Sequence, residues 1–151
     1  MTSSHPYSLR TVATFKGPVE AGWIASLLRG DRRVAHVIDE GDGEALVWHW
    51  GSEDDEHALD RHVAGLPPLV DEMRCVTEWC RDAFALQLRR EERELAAMRR
   101  YAAKRTVLRL PGIDGWGEWL VLDAPHDAQR ALALARAHGA LRILAPRGKR
   151  L

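Results

Sequence analysis

The sequence predicts an α+β fold with antiparallel sheets, because strand-like and helix-like segments alternate and one group of them occurs twice. Residues 43–48 align with residues 117–122, and the helical segment after each copy ends at a glycine, Gly65 or Gly139. In both cases the second copy lies 74 residues after the first. Between these points, Ala58-Leu59 aligns with Ala131-Leu132 at an offset of 73. A near-constant offset indicates a duplicated structural unit. The predicted order, βαββα and then (β)αββαβ, is that of two tandem ferredoxin-like repeats with one long helix.

The two repeats divide the chain into two predicted domains. Residues 1–70 form the first repeat, and residues 71–151 form the second, with a lengthened first helix and a basic tail. Of the 151 residues, 46% are hydrophobic and 29% are charged, which is typical of a globular protein. No apolar run approaches the ~20 residues of a membrane span, and the N-terminus lacks signal-peptide features. We therefore expect a cytoplasmic protein without a membrane partner.

The formal net charge of zero conceals an asymmetry between the two halves of the chain. Residues 1–75 contain 7 Lys or Arg and 13 Asp or Glu, whereas residues 76–151 contain 15 and 9. The halves therefore carry charges of −6 and +6. Opposite charges can serve domain docking, and a basic half can also attract an anionic partner.

Two cysteines, Cys75 and Cys80, are too few for a disulfide framework, and their spacing is not that of a Cys-x-x-Cys motif. No second pair completes a zinc site. We expect both to be buried free thiols, and we predict no metal and no cofactor.

The chain begins with a predicted strand followed by a predicted helix. Residues 8–15 alternate between apolar and polar side chains, as a half-buried strand does. Pro18 suits the first turn of a helix, and apolar residues at helical spacing follow up to Gly30. We therefore predict a helix over residues 18–29.

A glycine-rich turn then predicts a hairpin between residues 34–38 and 45–50. A two-residue loop at Gly41-Asp42 would place Val37 opposite Leu46, with His36 and His49 diagonal to each other on one face. Ser52 follows as the predicted N-cap of an acidic helix that ends before Pro67.

The middle of the chain is dominated by one long predicted helix over residues 79–104, about 39 Å in length. Residues 69–78 before it are either a strand or the start of this helix. Six consecutive charges at residues 89–94 indicate a solvated face. Leu95 and Met98 continue the apolar stripe beyond them, and this stripe needs a covering surface, either the rest of the chain or a second chain.

The C-terminal part repeats the hairpin-and-helix pattern. We predict strands at residues 107–110 and 118–123, a helix at residues 127–138 that ends at Gly139, and a final strand at residues 141–144. A short basic tail completes the chain.

Parts of this sequence resemble a prokaryotic family of putative signal-transducing, PII-like proteins. The resemblance rests on Gly17-Pro18-Val19-Glu20-Ala21, Leu27-Leu28, Ala35-His36-Val37-Ile38-Asp39-Glu40, and Glu44-Ala45-Leu46-Val47 followed by Glu53-Asp54-Asp55-Glu56-His57-Ala58-Leu59. It covers residues 11–63 well, residues 105–139 partly, and the long helix and tail not at all. Trp48-His49-Trp50 and the lengthened second helix depart from the family pattern. The resemblance implies a ferredoxin-like fold and a regulatory or interaction role.

The sequence contains no strong catalytic or metal-binding pattern. The six histidines after residue 30 contain no His-x-x-x-His pair, and His36 with His49 is the best metal-like pair. The glycines at 112, 115 and 117 follow a predicted strand. Because another strand comes next, a hairpin turn is favoured over a phosphate-binding loop, which leads into a helix. No serine, histidine and carboxylate set has recognisable nucleophile spacing.

Aromatic, charged and apolar residues supply the candidate binding surfaces. Trp116 lies in a glycine-rich loop, where we expect it to be exposed, and exposed aromatic residues often mark binding surfaces. The candidate residues for a ligand or partner are Lys16, Glu20, Asp114, Trp116, Trp119, Leu95 and Met98. The candidate residues for an anion are Arg99, Arg100, Lys104, Arg105, Arg142, Arg147, Lys149 and Arg150.

The resulting hypothesis is a non-enzymatic regulatory or protein-interaction module, with a PII-like sensor as one form of it. Its partner would be another protein or a second copy of the chain, contacted through the long helix. The alternative is a nucleic-acid-binding protein that uses the basic C-terminal half. Arg99, Arg100, Lys104 and Arg105 also complement the negative end of the long helix, which is a purely structural explanation for them.

Overall fold

The computed structural model describes residues 6–70, 73–111 and 116–146. They fall into two compact units, which we call the first unit, Pro6–Glu92, and the second unit, residues 93–146. The described residues contain two larger antiparallel sheets, a short two-stranded ladder and three helices, so the predicted α+β class is confirmed. The units divide inside a helix, between Glu92 and Arg93, whereas the sequence predicts a domain boundary after residue 70.

The first unit is built on a four-stranded antiparallel sheet in which each strand pairs with the next along the chain. Its strands are β1 (Tyr7–Lys16), β2 (Ala21–Arg29), β3 (Arg32–Asp39) and β4 (Val47–Trp50). Helix α1 (Glu53–Ala64) follows, and then a two-stranded ladder of β5 (Leu69–Val70) and β6 (Val76–Thr77). The fully buried apolar residues of this unit include Ala25, Leu27, Val37, Leu59 and Phe84.

The predicted helix over residues 18–29 is wrong, because these residues form a turn and strand β2. Trp23, Ala25 and Leu27 are all buried, and they alternate along the strand. Ser26 between them is buried as well, so the central strand presents the nearly continuous apolar run that helix and strand share. Without a helix between β1 and β2, the sheet is a meander, and the predicted first ferredoxin-like repeat is not confirmed.

The predicted register of the first hairpin is also wrong, by two residues. Val37 pairs with Trp48 rather than Leu46, and His36 lies directly opposite His49. The connection is longer than a two-residue turn because Gly41 bonds elsewhere: its N–H donates to Asp39 Oδ1 (2.8 Å), and its carbonyl accepts from Val19 and Glu20. A shift of two residues keeps every side chain on its predicted face.

Helix α2 (Arg81–Tyr101) has 21 residues and lies within the span predicted for the long helix. Its residues 81–92 belong to the first unit, where Phe84, Ala85 and Leu88 are buried. Residues 69–78 were open between a strand and the start of this helix, and the structure has strand β6 there. Cys75 and Cys80 are exposed, so their predicted burial is wrong. Cys75 adjoins the short ladder and Cys80 precedes α2, and neither belongs to a sheet or helix face that is packed in the core.

The second unit contains a three-stranded antiparallel sheet in the order β8-β7-β9. Its elements are β7 (Arg105–Leu110), β8 (Glu118–Pro125), α3 (Ala128–His138) and β9 (Arg142–Leu144). Strand β7 is central, and both of its neighbours run antiparallel to it. No parallel pair occurs among the described strands, so this sheet does not show the split βαβ pairing of a ferredoxin-like repeat either.

The duplicated order of strand, strand and helix is confirmed in both units. It appears as β3-β4-α1 and as β7-β8-α3. Ser52 is the N-cap of α1, as predicted, and its side chain accepts a hydrogen bond from the backbone N–H of Asp55. Asp127, predicted as the first residue of α3, lies just before this helix and accepts from the backbone N–H of Arg130 in the same way. Gly139 ends α3 in the left-handed conformation with φ of 62°, which favours glycine.

Candidate functional site

Two arginines lie side by side in the sheet of the second unit. Arg109 on the central strand β7 pairs with Trp119 on β8 and with Arg142 on β9. Residues directly opposite each other in an antiparallel sheet present their side chains on the same face. The sequence therefore places two positive charges next to each other in a sheet of only three strands.

Arg109 has partners for its charge and its N–H groups. Its Nε donates to the carbonyl oxygen of Trp116 at 3.0 Å, and Nη2 donates to the same oxygen. Nη1 lies 3.9 Å from Glu94 Oε2, and Cζ lies 4.6 Å from the centre of the Trp119 ring. With 6% of its surface exposed, Arg109 is a buried structural residue whose charge is compensated locally.

Arg142 has different surroundings, although it is the cross-strand neighbour of Arg109. Its Nε is buried and has no hydrogen-bond partner among the described residues. Burial lowers the pKa of the Arg142 guanidinium, and the positive charge of Arg99 lowers it further. Arginine remains charged at neutral pH even so. Arg142 is thus a partly desolvated cation adjacent to a second cation.

A groove of about 580 Å³ lies beside these charges, between the end of α2 and the end of β9. Arg99 and Arg100 line it from the last turn of α2, with Ala102 and Ala103 just after the helix, and Leu144 and Ala145 complete the lining. The groove is therefore lined by two arginines and by alanine and leucine residues.

The C-terminal end of α2 favours the positive charges of Arg99 and Arg100. This effect does not explain why Arg142 lies near them. The carbonyls of Met98, Arg100 and Tyr101 accept hydrogen bonds from the backbone N–H groups of residues 102–104, so they are satisfied without arginine side chains. The helix dipole stabilises cations of the last turn. It gives no reason for a third cation, Arg142, on the neighbouring strand.

Two carboxylates of the second unit form ion pairs with arginines of strand β7. Glu94 faces Arg109, and Asp123 lies 3.6 Å from Arg105 at the start of β7. Among the described residues, neither Arg99, Arg100 nor Arg142 has an ion-pair partner. Three neighbouring guanidinium groups without a carboxylate can bind an anion, because their mutual repulsion falls when it arrives.

The structure brings together only part of the predicted anion-binding set. Arg99 and Arg100 line the groove, Lys104 is exposed in the turn after α2, and Arg105 is paired with Asp123. Arg147, Lys149 and Arg150 lie outside the described residues. Charge alone identified Arg142 as a candidate. Its pairing with Arg109 and the apolar lining of the groove could not be read from sequence, because they depend on which strand β9 joins.

The expected exposure of Trp116 is wrong, since only 4% of its surface is exposed. Its carbonyl anchors Arg109, and this buried arginine holds the loop end against the sheet. Trp119 is half-buried on β8, where it stacks on Arg109. Asp114 lies outside the described residues. The two tryptophans are therefore part of the support for Arg109, and their role in ligand binding stays a prediction.

The remaining predicted residues are not gathered into one site. Lys16 and Glu20 are exposed around the β1–β2 turn of the first unit. Leu95 and Met98 are half-buried on α2, so a contact between this helix and a second chain stays a prediction.

The histidines do not supply an obvious reaction centre. His126 Nδ1 contacts the hydroxyl of Thr106, but Thr106 is completely buried and unavailable to a substrate. His36 and His49 are paired across β3 and β4. No group of three or more His, Cys, Asp or Glu side chains with metal-binding geometry occurs in the described part of the chain.

No known family model, curated protein or solved structure matches this chain. The resemblance to PII-like proteins therefore stays a prediction. Within residues 6–70, 73–111 and 116–146, none of the helices combines the length and apolar character needed to cross a membrane.

Proposed function

We propose that this protein is a non-enzymatic binding module whose second unit recognises an anionic ligand at the groove lined by Arg99 and Arg100, with Arg142 beside Arg99. The observation that carries this proposal is Arg142, a partly buried arginine that lacks a described acidic partner and lies next to another arginine. A buried, unpaired charge costs stability. A bound anion is the simplest group that offsets this cost.

The groove is suited to binding rather than to chemistry. Its lining consists of arginine, alanine and leucine side chains, and an arginine does not exchange its proton near neutral pH. General acid–base catalysis needs a group that does so, such as His or a carboxylate. The residues that line the groove therefore support recognition of an anion without a reaction of its own.

A regulatory role is compatible with such recognition and agrees with the role implied by the sequence resemblance. The two strand-strand-helix elements support the idea that the units arose by duplication of one element. The described sheets do not confirm the tandem ferredoxin-like repeat that the sequence predicts.

Nucleic acid is the second candidate ligand, and the charge of +6 in residues 76–151 favours it. A polyanion would release counterions on binding, so its affinity would fall steeply with salt. A small anion held by three arginines would show a weaker dependence on salt.

Calorimetric titration with pyrophosphate tests the proposed function. We compare the wild type with the double variant Arg99→Gln, Arg142→Gln and with a control, Arg130→Gln, Arg136→Gln. The control residues are exposed on α3 of the same unit, and the change in net charge is the same. We expect at least about ten-fold weaker binding for the groove variant, as for the loss of charge-assisted hydrogen bonds, and less than about two-fold for the control. Equal losses in both variants, or no binding to the wild type, would contradict the proposal.

A further inference from the structure

We propose that the ligand of the arginine groove is a small phosphate monoester with an apolar part, and not a nucleic-acid polymer. This inference rests on the proposed function and narrows the class of anion. It depends on three properties of the second unit: the size of the groove, its apolar lining, and the engagement of the basic residues along β7.

The size of the groove suits a small organic molecule. Its volume of about 580 Å³ lies inside the range of roughly 300–1,000 Å³ that is usual for small-molecule sites. An inorganic phosphate would occupy only a small part of this space. The remaining space is available to the part of the ligand to which the phosphate is attached.

The lining divides the groove into a charged part and an apolar part. Arg99 and Arg100 contribute positive charge to the lining, whereas Ala102, Leu144 and Ala145 have side chains of carbon atoms only. Guanidinium groups bind phosphate oxygens with paired hydrogen bonds. Apolar side chains gain from covering an apolar group, because both surfaces leave water. A ligand that carries both features uses the whole lining.

The charge of the site favours a dianion over a monoanion. Arg99 and Arg142 are close enough for the charge of one to affect the other, and Arg100 also lines the groove. A phosphate monoester carries about two negative charges above its second pKa near 6. A sulfate ester of the same shape carries one, so it compensates less of the local positive charge.

The basic residues along β7 are not arranged as a track for a polymer. Arg105 faces Asp123, and Arg109 is engaged by Glu94 and by the carbonyl of Trp116. Their charges are therefore compensated within the unit. Single-stranded nucleic acids also need aromatic side chains on which bases stack, and the residues that line the groove are arginine, alanine and leucine.

Titrations with four probes at pH 8 and constant ionic strength test this inference. The probes are benzyl phosphate, benzyl sulfate, inorganic phosphate and a 12-nucleotide single-stranded DNA. We expect benzyl phosphate to bind at least about ten-fold tighter than inorganic phosphate, which has the same charge at this pH. We also expect it to bind about ten-fold tighter than benzyl sulfate, which has the same apolar part.

Two variants connect these differences to the groove. Ala103 is exposed in the turn after α2, so Ala103→Glu places a carboxylate at the groove without disturbing the core, and we expect it to abolish binding of benzyl phosphate. Ala137→Glu at an exposed position of α3 is the matched control and should bind as the wild type does. Leu144→Ser should remove most of the preference for benzyl phosphate over inorganic phosphate.

Each outcome separates the inference from the proposed function. Arginine-dependent binding in which benzyl phosphate gains nothing over inorganic phosphate overturns the inference and leaves the proposed function intact. Tighter binding of the DNA than of benzyl phosphate also overturns it and favours a polymer. Binding of all four probes that is unaffected by Arg99→Gln, Arg142→Gln overturns both.

Discussion

Arg81 in the first unit and Arg142 in the second are both half-buried beside an antiparallel sheet, and their surroundings are opposite. Arg81 donates from Nε and Nη2 to the two carboxylate oxygens of Asp60, each at 2.7 Å, and from Nη2 to Glu56 at 2.7 Å. Its guanidinium also lies 5.4 Å from the centre of the Trp50 ring. Arg142 has an unpartnered Nε among the described residues and another arginine as its neighbour.

The pKa values of the two guanidinium groups reflect this difference. The hydrogen bond to Asp60, followed by the one to Glu56, raises the pKa of Arg81 despite its burial. Burial and Arg99 lower the pKa of Arg142. One arginine is compensated within the fold and contributes to stability, whereas the charge of the other remains for a ligand. Four substitutions, described in order of decreasing effect on stability, test this difference between Arg81 and Arg142.

Arg109→Met should have the largest effect, because it removes a buried arginine that has partners on several sides. The carbonyl of Trp116 and the carboxylate of Glu94 would lose their partner, which typically costs about 3 kcal/mol. Hydrogen exchange of residues 105–110 should show this loss of protection. Arg105→Met on the same strand, where the ion pair is exposed, is the control and should change little. Equal effects of the two variants would show that the partners of Arg109 do not stabilise this unit.

Arg81→Met should destabilise the first unit by about 1–2 kcal/mol, a figure reduced for the partial exposure of this ion pair. Urea unfolding followed by tryptophan fluorescence measures the change. Arg61→Met on α1, at an exposed position, provides the control. A shift of the urea midpoint no larger than that of Arg61→Met would mean that compensation by Asp60 and Glu56 adds nothing.

His62 should give the first unit a pH-dependent stability of smaller size. Its ring packs between Tyr7 and Phe84, with ring centres 5.2 and 5.6 Å away. Burial, and then the charge of Arg29, lower the pKa of His62 below its usual 6.5. The unfolded chain therefore takes up the proton first, so stability falls as pH drops below about 6.5 towards the folded pKa.

Urea unfolding at several pH values between 7.5 and 5 tests this for the wild type and for His62→Phe. The variant should lose part of the decrease in stability on acidification, while the other six histidines stay unchanged in both proteins. An identical pH dependence in the two proteins would show that His62 does not contribute.

Arg142→Met should have the smallest effect on the free protein, a change within about 0.5 kcal/mol or a slight gain in stability. Replacing an uncompensated, partly buried charge with an apolar side chain is often neutral or favourable. Thermal unfolding without added anions is the measurement, and Arg109→Met is the contrasting variant. A loss as large as that of Arg109→Met would mean that Arg142 is a structural residue.

Local chemistry allowed a part of this fold to be predicted from sequence. Ser52 and Asp127 start their helices through their own side chains, and Gly139 ends α3 because of its backbone conformation. These signals act within a few residues, so the order of strand, strand and helix in both units could be read from them. The α+β class follows from the same segments.

Other features depend on contacts between distant segments, and the predictions made for them from sequence are wrong. Strand β2 was predicted as a helix because a central strand that is buried on both faces lacks clear alternation. Trp116 was predicted to be exposed because nothing in its loop shows that its carbonyl binds Arg109. For the candidate site, the charges of Arg99 and Arg100 were visible in the sequence. The position of Arg142, next to another arginine and without a described acidic partner, depends on the pairing of β9 with β7 and could not be predicted.

The claim that the second unit binds an anion at Arg142 can be tested by NMR of the arginine side-chain Nε–H groups during a titration with pyrophosphate. Arg142→Lys and Arg81→Lys variants assign the two signals. We expect the Nε–H signal of Arg142 to move to lower field and to saturate as pyrophosphate is added, while that of Arg81, held by Asp60, stays in place. An unmoved Arg142 signal, or equal shifts of both signals, would contradict the claim that the second unit binds an anion at Arg142.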